Sequence, residues 1–424
     1  MKDLLALYGG EKSKKTSFGE GSRFGEEELK QLQEALNQNT LFYWSGKKVK
    51  EYTKKFANIY GVAYCLATSS GSGAIHTALG ALGITVGDEV ITSPITDMGT
   101  IIGILLQNAI PIFADLHPYT YNLDPKSIEK RISRRTKAIL VVHLAGNPAD
   151  MDPIMELAKK YNLKIVEDCA QSYLSYYKGK LAGTFGDIGC FSTNDTKQIS
   201  TGDGGILITN QKELFGRASK FLDKNYNRLA KDTRDKLNIS YVSPNYRMTE
   251  LQGAVGIAQL DKLNFICSQR NKYGEGLTDG IKGLKGIYVP LITEESKSSY
   301  WFYMFRVNEN EAGVCRDKFM KALAAEGIPC QAGYTPECVY NHDLFLNKSA
   351  YQGTHCPFEC QYYSGEIKYY KGLCPVAEEI LANAIRIPVS EFFTEQDILE
   401  VIFAIKKISN YYRNRKNCKS MKER

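Results

Sequence analysis

This chain has no apolar run long enough to span a bilayer, which takes about 20 consecutive apolar residues. Its longest candidate, 101-IIGILLQNAIPIF-113, is broken by Gln107, Asn108 and Pro111. The opening MKDLLALYGGEKSKK carries too short an apolar run for a secretory leader. No internal repeat or low-complexity linker interrupts the 424 residues. A basic face through the body, which nucleic-acid binding would need, is also missing. Lys plus Arg number 54 against 47 Asp plus Glu, a net charge of +7. Much of that excess lies in 406-KKISNYYRNRKNCKSMKER-424, which reads as a basic helix end and a frayed tail. Neither a membrane nor a nucleic acid is expected as a partner. The 11 cysteines are scattered, which suits reduced thiols and a cytoplasmic location.

What is present is a βα series. From about residue 62 to 210 seven short β-rich runs follow one another: VAYCLAT, DEVITSP, IPIFAD, AILVVHL, KIVEDCA, DIGCFST and GGILITN. The middle runs are apolar on both faces, as strands of a covered parallel sheet are. Helix-like segments separate them at 74–82, 124–132 and 152–161, and the last two open with Asp-Pro. The pattern predicts a doubly wound α/β sheet with ligands at the carboxyl ends of its strands. Residues 211–290 read as polar and helical, including 248-MTELQGAVGIAQLDKL-263. WFYMFRVN from residue 301 reads as a strand and 316–328 as a helix, giving a smaller α+β domain.

Three strand ends carry chemistry. In 68-TSSGSGAIHTAL-79, Ser and Gly lead directly into a helix, whose free amides and dipole favour a phosphate. The same turn also serves as a plain helix cap. It is not a dinucleotide fingerprint, because His76 stands where the third glycine belongs, and no Gly-Lys-Ser/Thr makes it a P-loop. In 164-KIVEDCAQS-172 a buried strand ends on Glu167 and Asp168. A carboxylate there is costly without a partner; Asp168 either caps a helix or holds a protonated ring nitrogen. In 191-FSTNDTKQISTGDGGILITN-210 one lysine, Lys197, stands between two apolar runs. A sheltered lysine loses its proton readily, as a Schiff-base lysine must. Ser192, five residues upstream, can donate to a phosphate, and Gly202, Gly204 and Gly205 let backbone pass close to a bound ring. A phosphate turn, an acidic strand end and a lysine loop on one sheet are what a pyridoxal 5′-phosphate site requires.

These residues resemble the DegT/DnrJ family of sugar aminotransferases, which have the fold-type I pyridoxal-phosphate architecture. The resemblance runs through SGSGAIHTAL, GDEVITSP, HLAGNPADMD, VEDCAQS, GTFGDIGCFS, TK followed by STGDGG, and NYRMTELQGAVG. It implies a mainly parallel seven-stranded sheet covered by helices, with a smaller C-terminal α+β domain. The implied division is an N-terminal segment, 1–60, packing on the small domain and the dimer; a large cofactor domain, 61–285; and a small domain, 286–424. By position, Lys197 would be the Schiff-base lysine and then the proton carrier. Asp168 would pair with the pyridinium nitrogen, and Gln171 would pack near the cofactor hydroxyl. Gly71 and Ser72 would give backbone donors to the phosphate, and Ser192 its hydroxyl. Asn245 would reach the phosphate from the other subunit of a homodimer with shared active sites. The implied reaction takes an amino group from glutamate or glutamine to a keto-sugar, free or nucleotide-linked, or to a keto-cyclitol. Some relatives carry histidine in place of the lysine and perform dehydration, so Lys197 favours transamination. A dehydratase or aromatising synthase on the same scaffold, or a non-catalytic sugar-binding homologue, is the alternative.

Two features stand apart. In 94-PITDMGT-100, Asp97 occupies the place where the family sets an aromatic to stack on the pyridine. Stacking would then fall to Met98 or another residue, or be weak. The segment 355-HCPFECQYYSGEIKYYKGLCPVAEE-379 belongs to a Cys/Tyr-rich insertion at about 339–375. No second close cysteine pair accompanies Cys356 and Cys360, and no metal site is assigned. Its tyrosines suit a sugar face, and a structural loop or dimer contact is the other reading. With 40-TLFYWSGK-47 it is expected to set specificity.

Overall fold

The computed structural model describes residues 4–363 and 365–422, with side chains described through residue 414. The seven apolar runs form one sheet. Its strands are β1 (Tyr64–Thr68), β2 (Glu89–Thr92), β3 (Ile110–Phe113), β4 (Thr136–Val142), β5 (Lys164–Asp168), β6 (Ile188–Ser192) and β7 (Gly205–Thr209). Their order is β1-β7-β6-β5-β4-β2-β3. Pairing is parallel from β3 across to β6, while β7 runs against both its neighbours. A parallel neighbour needs a crossover, usually a helix. The segment between β6 and β7 contains none, so the chain turns back and β7 is reversed.

Helices α1 (Glu26–Asn37), α2 (Lys48–Tyr60), α3 (Gly71–Leu82), α4 (Met98–Leu106), α5 (Pro125–Arg131) and α6 (Met151–Tyr161) precede or connect these strands. α3 is apolar nearly all round and buries Ala74, Ile75, Ala78, Leu79 and Ala81 with Val90, Leu140 and Val166 of the sheet. Each fully buried Leu, Ile or Val side chain contributes about 1.5–3 kcal/mol. α6 opens one residue before the expected Asp152, and its N-cap residue Asp150 accepts from the Tyr177 hydroxyl at 2.7 Å instead of capping the helix. The long helix Glu250–Ile281 starts with a capping box between Thr249 and Gln252.

Strands Ile287–Tyr288, Phe302–Val307, Ala384–Pro388 and Gln331–Ala332 form a separate antiparallel sheet. It shares a core with helices Arg316–Ala325 and Glu395–Lys422. That last helix reaches Lys422, so the frayed tail expected beyond it lies outside the described residues. The N-terminal segment is bolted to this part: Lys14 Nζ meets Asp397 at 2.7 Å and Glu400 at 2.8 Å. Among the described residues no helix is long and apolar enough to cross a membrane.

The insertion does not face the site. Tyr340, Phe345, Phe358, Tyr363 and Tyr369 are buried against β3 and its neighbours. Tyr369 donates to Pro111 O at 2.8 Å, Tyr363 donates to Glu89 at 3.0 Å, and the Cys374 sulfur lies 3.8 Å from Phe113 O. β3 is an edge strand and carries a proline; the insertion covers that edge. Tyr340, Tyr363 and Tyr369 therefore serve packing here, because an uncovered apolar strand edge invites pairing with other chains, while Tyr362 and Tyr370 stay exposed.

Candidate active site

The carboxyl ends of β1, β2, β5 and β6 converge on one cavity of about 320 Å³. Gly71, Ser72, Asp168, Gln171, Ser192 and Lys197 all line it, with Thr100, Asp97, Trp301 and Tyr334.

At one end, Ser70 caps α3 by accepting from Gly73 N at 3.0 Å. The amides of Gly71 and Ser72 have no acceptor inside the helix and point out of its N-terminus. A Cβ on Gly71 would sit 2.6 Å from Ser192 Cβ, and one on Gly205 2.2 Å from Ser70 O. Both glycines are needed to bring the helix start against the ends of β6 and β7.

In the middle, Asp168 ends β5. Its carboxylate accepts from Thr100 Oγ1 at 2.7 Å and from Ala170 N at 3.0 Å. Burial pushes this carboxyl above the usual range, against the pull of Thr100, the Ala170 amide and the Lys197 charge. An anion held this way favours a cationic partner in the cavity. Gln171 turns its side-chain oxygen to Ala145 N at 2.8 Å, leaving its amide nitrogen for the cavity.

Lys197 is 9% exposed, and its Nζ lies 3.6 Å from the centre of the Trp301 ring. Burial pushes its pKa down to about 8, opposed by the charges of Asp168 and Asp97. The loop is held by its backbone. Lys197 N donates to Asn194 O at 2.9 Å, Trp301 Nε1 to Thr196 O at 2.7 Å, and Arg23 Nη2 to Lys197 O at 2.8 Å. The lowered pKa sets a pH dependence. In the apoprotein, borohydride trapping of pyridoxal 5′-phosphate on Lys197 should rise with pH and be half-maximal near 8. The neutral amine is the nucleophile, and a free lysine would place that midpoint near 10.4. Peptide mapping of the reduced adduct across the pH range checks this.

Asp97 caps α4, accepting from Gly99 N at 2.8 Å. Met98 packs on the core and does not line the cavity, so it cannot stack on a ring there. The aromatic walls are Trp301 and Tyr334, about a hundred residues beyond the lysine loop. Asn245 is exposed and lies outside the cavity of its own chain. Its neighbours Tyr246 and Arg247 anchor the segment near β1: Ser69 N donates to Tyr246 O at 2.7 Å, and Thr68 bridges to Arg247.

Thr100, Trp301, Tyr334 and Arg23 were not legible as site residues. Thr100 alone had a signal, since it ends the quoted PITDMGT at a strand-to-helix turn. His143, Glu167 and Cys169 place potential metal ligands within 4.8 Å of one another. Both His143 nitrogens and both Glu167 oxygens are already engaged in hydrogen bonds to protein, which leaves no ligand set for an ion.

A helix N-terminus beside a hydroxyl, a buried carboxylate and a buried amine, in one cavity at strand ends, fit pyridoxal 5′-phosphate. The architecture is that of the fold-type I enzymes that use it. An aminotransferase from Psychrobacter cryohalolentis superposes with a TM-score of 0.81 at 28% identity, covering 92% of this chain and 98% of that one. The DegT/DnrJ/EryC1/StrS aminotransferase family model matches residues 22–367, and the chain belongs to that family. It is similar to a GDP-perosamine synthase of Escherichia coli O157:H7, 32% identical over 370 residues, 87% of this chain and 91% of that protein. It is also similar to dTDP-3-amino-3,6-dideoxy-alpha-D-galactopyranose transaminase of Aneurinibacillus thermoaerophilus, 30% identical over 379 residues, 89% and 94% of the two chains. Its cofactor is pyridoxal 5′-phosphate, and it is an aminotransferase of this family.

Proposed function

We propose that this enzyme moves an amino group from glutamate or glutamine to a keto-sugar, free or nucleotide-linked, or to a keto-cyclitol. The observation that carries the reading is a buried amine, Lys197, facing the Asp168 carboxylate across a cavity with a helix N-terminus at one end. The cofactor, when bound, supplies an electron sink that stabilises a carbanion at the substrate carbon. Gly71, Ser72 and Ser192 hold its phosphate, Asp168 keeps its ring nitrogen protonated, and Gln171 meets its hydroxyl. Lys197 anchors the cofactor and then moves one proton between substrate carbon and cofactor in each half-reaction. A pKa near 8 suits both taking and returning a proton at neutral pH. The two curated relatives, one named for a GDP-linked and one for a dTDP-linked amino sugar, support a sugar acceptor.

The working unit in this reading is a homodimer. The exposed stretch with Leu229, Leu237, Ile239 and Val242, the last 96% accessible, precedes Asn245 and is suited to cover by a second copy. Asn245 then reaches the partner's phosphate site. Sedimentation at the mass of a single chain would remove this part. A cytoplasmic location suits the ten described cysteines, all free; recovery of the protein outside the cell would oppose it.

Given glutamate or glutamine, the yellow holoenzyme is expected to lose its visible absorption and release the matching oxo acid in stoichiometric amount. Absence of this half-reaction with both amino acids would remove glutamate and glutamine as donors and favour the dehydratase or aromatising-synthase alternative.

A further inference from the structure

The cavity has a polar group for each end of the cofactor but no aromatic at position 97, where Asp97 gives one carboxylate oxygen to the cap of α4. Met98 packs on the core. Among the described residues, the rings that line the cavity are those of Trp301 and Tyr334. They meet edge to face, 5.7 Å apart at 76°, so only one of them can lie parallel to a bound pyridine. Tyr334 already stacks on Phe302, at 5.2 Å and 26°. Trp301 turns its face to the lysine: Lys197 Nζ lies 3.6 Å from the ring centre, an ordinary contact distance. The indole is fixed relative to the lysine loop. Its Nε1 donates to Thr196 O at 2.7 Å, one residue before the lysine, and the Trp301 amide donates to Ala145 O at 2.9 Å.

We propose that Trp301 stacks on the pyridine ring of the cofactor and so does the work of the aromatic that position 97 lacks. The inference rests on Lys197 as the anchoring lysine and is independent of the reaction that follows. A pyridine joined to Nζ through one carbon has its centre about 4 Å from that nitrogen. Laid along the indole face, it is about 5 Å from the indole centre, an offset-stacked separation. The pairing is also electrostatically matched. The indole face is electron-rich, and a pyridine that keeps its proton opposite Asp168 is electron-poor. The cover of the cofactor is thus supplied by the residue before strand Phe302–Val307, from the antiparallel part of the chain, and not by the start of α4.

Pyridoxine 5′-phosphate carries the ring and the phosphate but no aldehyde, so its binding reads the non-covalent contact alone. The test titrates it into the full-length apoprotein, wild type and with Trp301→Phe or Trp301→Leu. Both variants lose the hydrogen bond to Thr196 and keep apolar bulk, and only phenylalanine keeps a ring. The dissociation constant is expected to rise about 10-fold for Trp301→Leu and less than about threefold for Trp301→Phe. Trp301→Leu within twofold of wild type would overturn the proposal. So would Trp301→Phe as weak as Trp301→Leu, which would leave the indole as a clamp on the lysine loop. A loss seen in Tyr334→Leu alone would also overturn it and move the stack to that ring. Borohydride fixing pyridoxal 5′-phosphate on a lysine other than Lys197 would overturn the reading beneath it, a result distinct from any order of these variants.

Discussion

Lys197→Ala is expected to slow the donor half-reaction by at least about 10³-fold, because one side chain both anchors the cofactor and carries the proton. The amine is walled in by Trp301 and Asp168, and burial brings its pKa to about 8. Among the described residues no other lysine lines the cavity, so no neighbour can take over. The variant should still fold. Arg23 grips the loop through the carbonyls of Asp195 and Lys197, and Trp301 through that of Thr196; none of these contacts uses the amine. The thermal midpoint of the apoprotein should therefore stay near that of the wild type. Oxo-acid release per active site, followed by rapid quench with saturating glutamate or glutamine, measures the effect. Turnover within tenfold of the wild type would show that the catalytic amine lies elsewhere.

The frame of the molecule was legible because the signal was local. Each of the seven strands is a short apolar run, and burial on both faces follows from helices on either side. Lys197 and Asp168 were legible because a polar group at the end of such a run demands a reason. The partners were not, because they come from distant elements. Trp301 and Tyr334 enter from the antiparallel part of the chain. The packing face of the insertion was hidden for a related reason. Tyrosine has an apolar body and a polar tip, so a Tyr-rich segment suits a sugar face and a covered sheet edge equally well. Only the contacts of Tyr369 with Pro111 O and of Tyr363 with Glu89 decide between them. Asp97 shows the converse. Its place in the motif suggests a stacking position, but its carboxylate caps α4, so the family's aromatic has no counterpart at that point.

Glu167→Ala is expected to destabilise the fold by about 2–4 kcal/mol, although Glu167 lies outside the cavity. Side chains alternate along β5, so Asp168 faces the cavity and Glu167 the opposite side. There its carboxylate, fully buried, accepts from the amides of Gly183, Phe185 and Gly186, each at 2.7 Å, and from His143 Nε2 at 3.0 Å. Ala149 N donates to His143 Nδ1 at 3.0 Å, which places the ring proton on Nε2, pointing at Glu167. One carboxylate thus ties the end of β4 and the approach to β6 onto β5, the three strands behind Asp168 and Ser192. Truncation leaves four donors without an acceptor, of which Gly183 N and His143 Nε2 are buried and Phe185 N and Gly186 N part-buried; a buried one costs about 1–3 kcal/mol in isolation, and together they cost less than their sum. Glu167→Gln keeps one acceptor but turns an amide group toward a donor, so its loss should fall between. Urea unfolding of the apoprotein, read as a shift of midpoint at constant slope, measures both. The alanine variant should also bind pyridoxal 5′-phosphate more weakly, because Asp168 sits one residue along the disturbed strand. A loss below about 1 kcal/mol would mean that water reaches these four donors as well as the carboxylate does, and that β5 is held by its ladder alone.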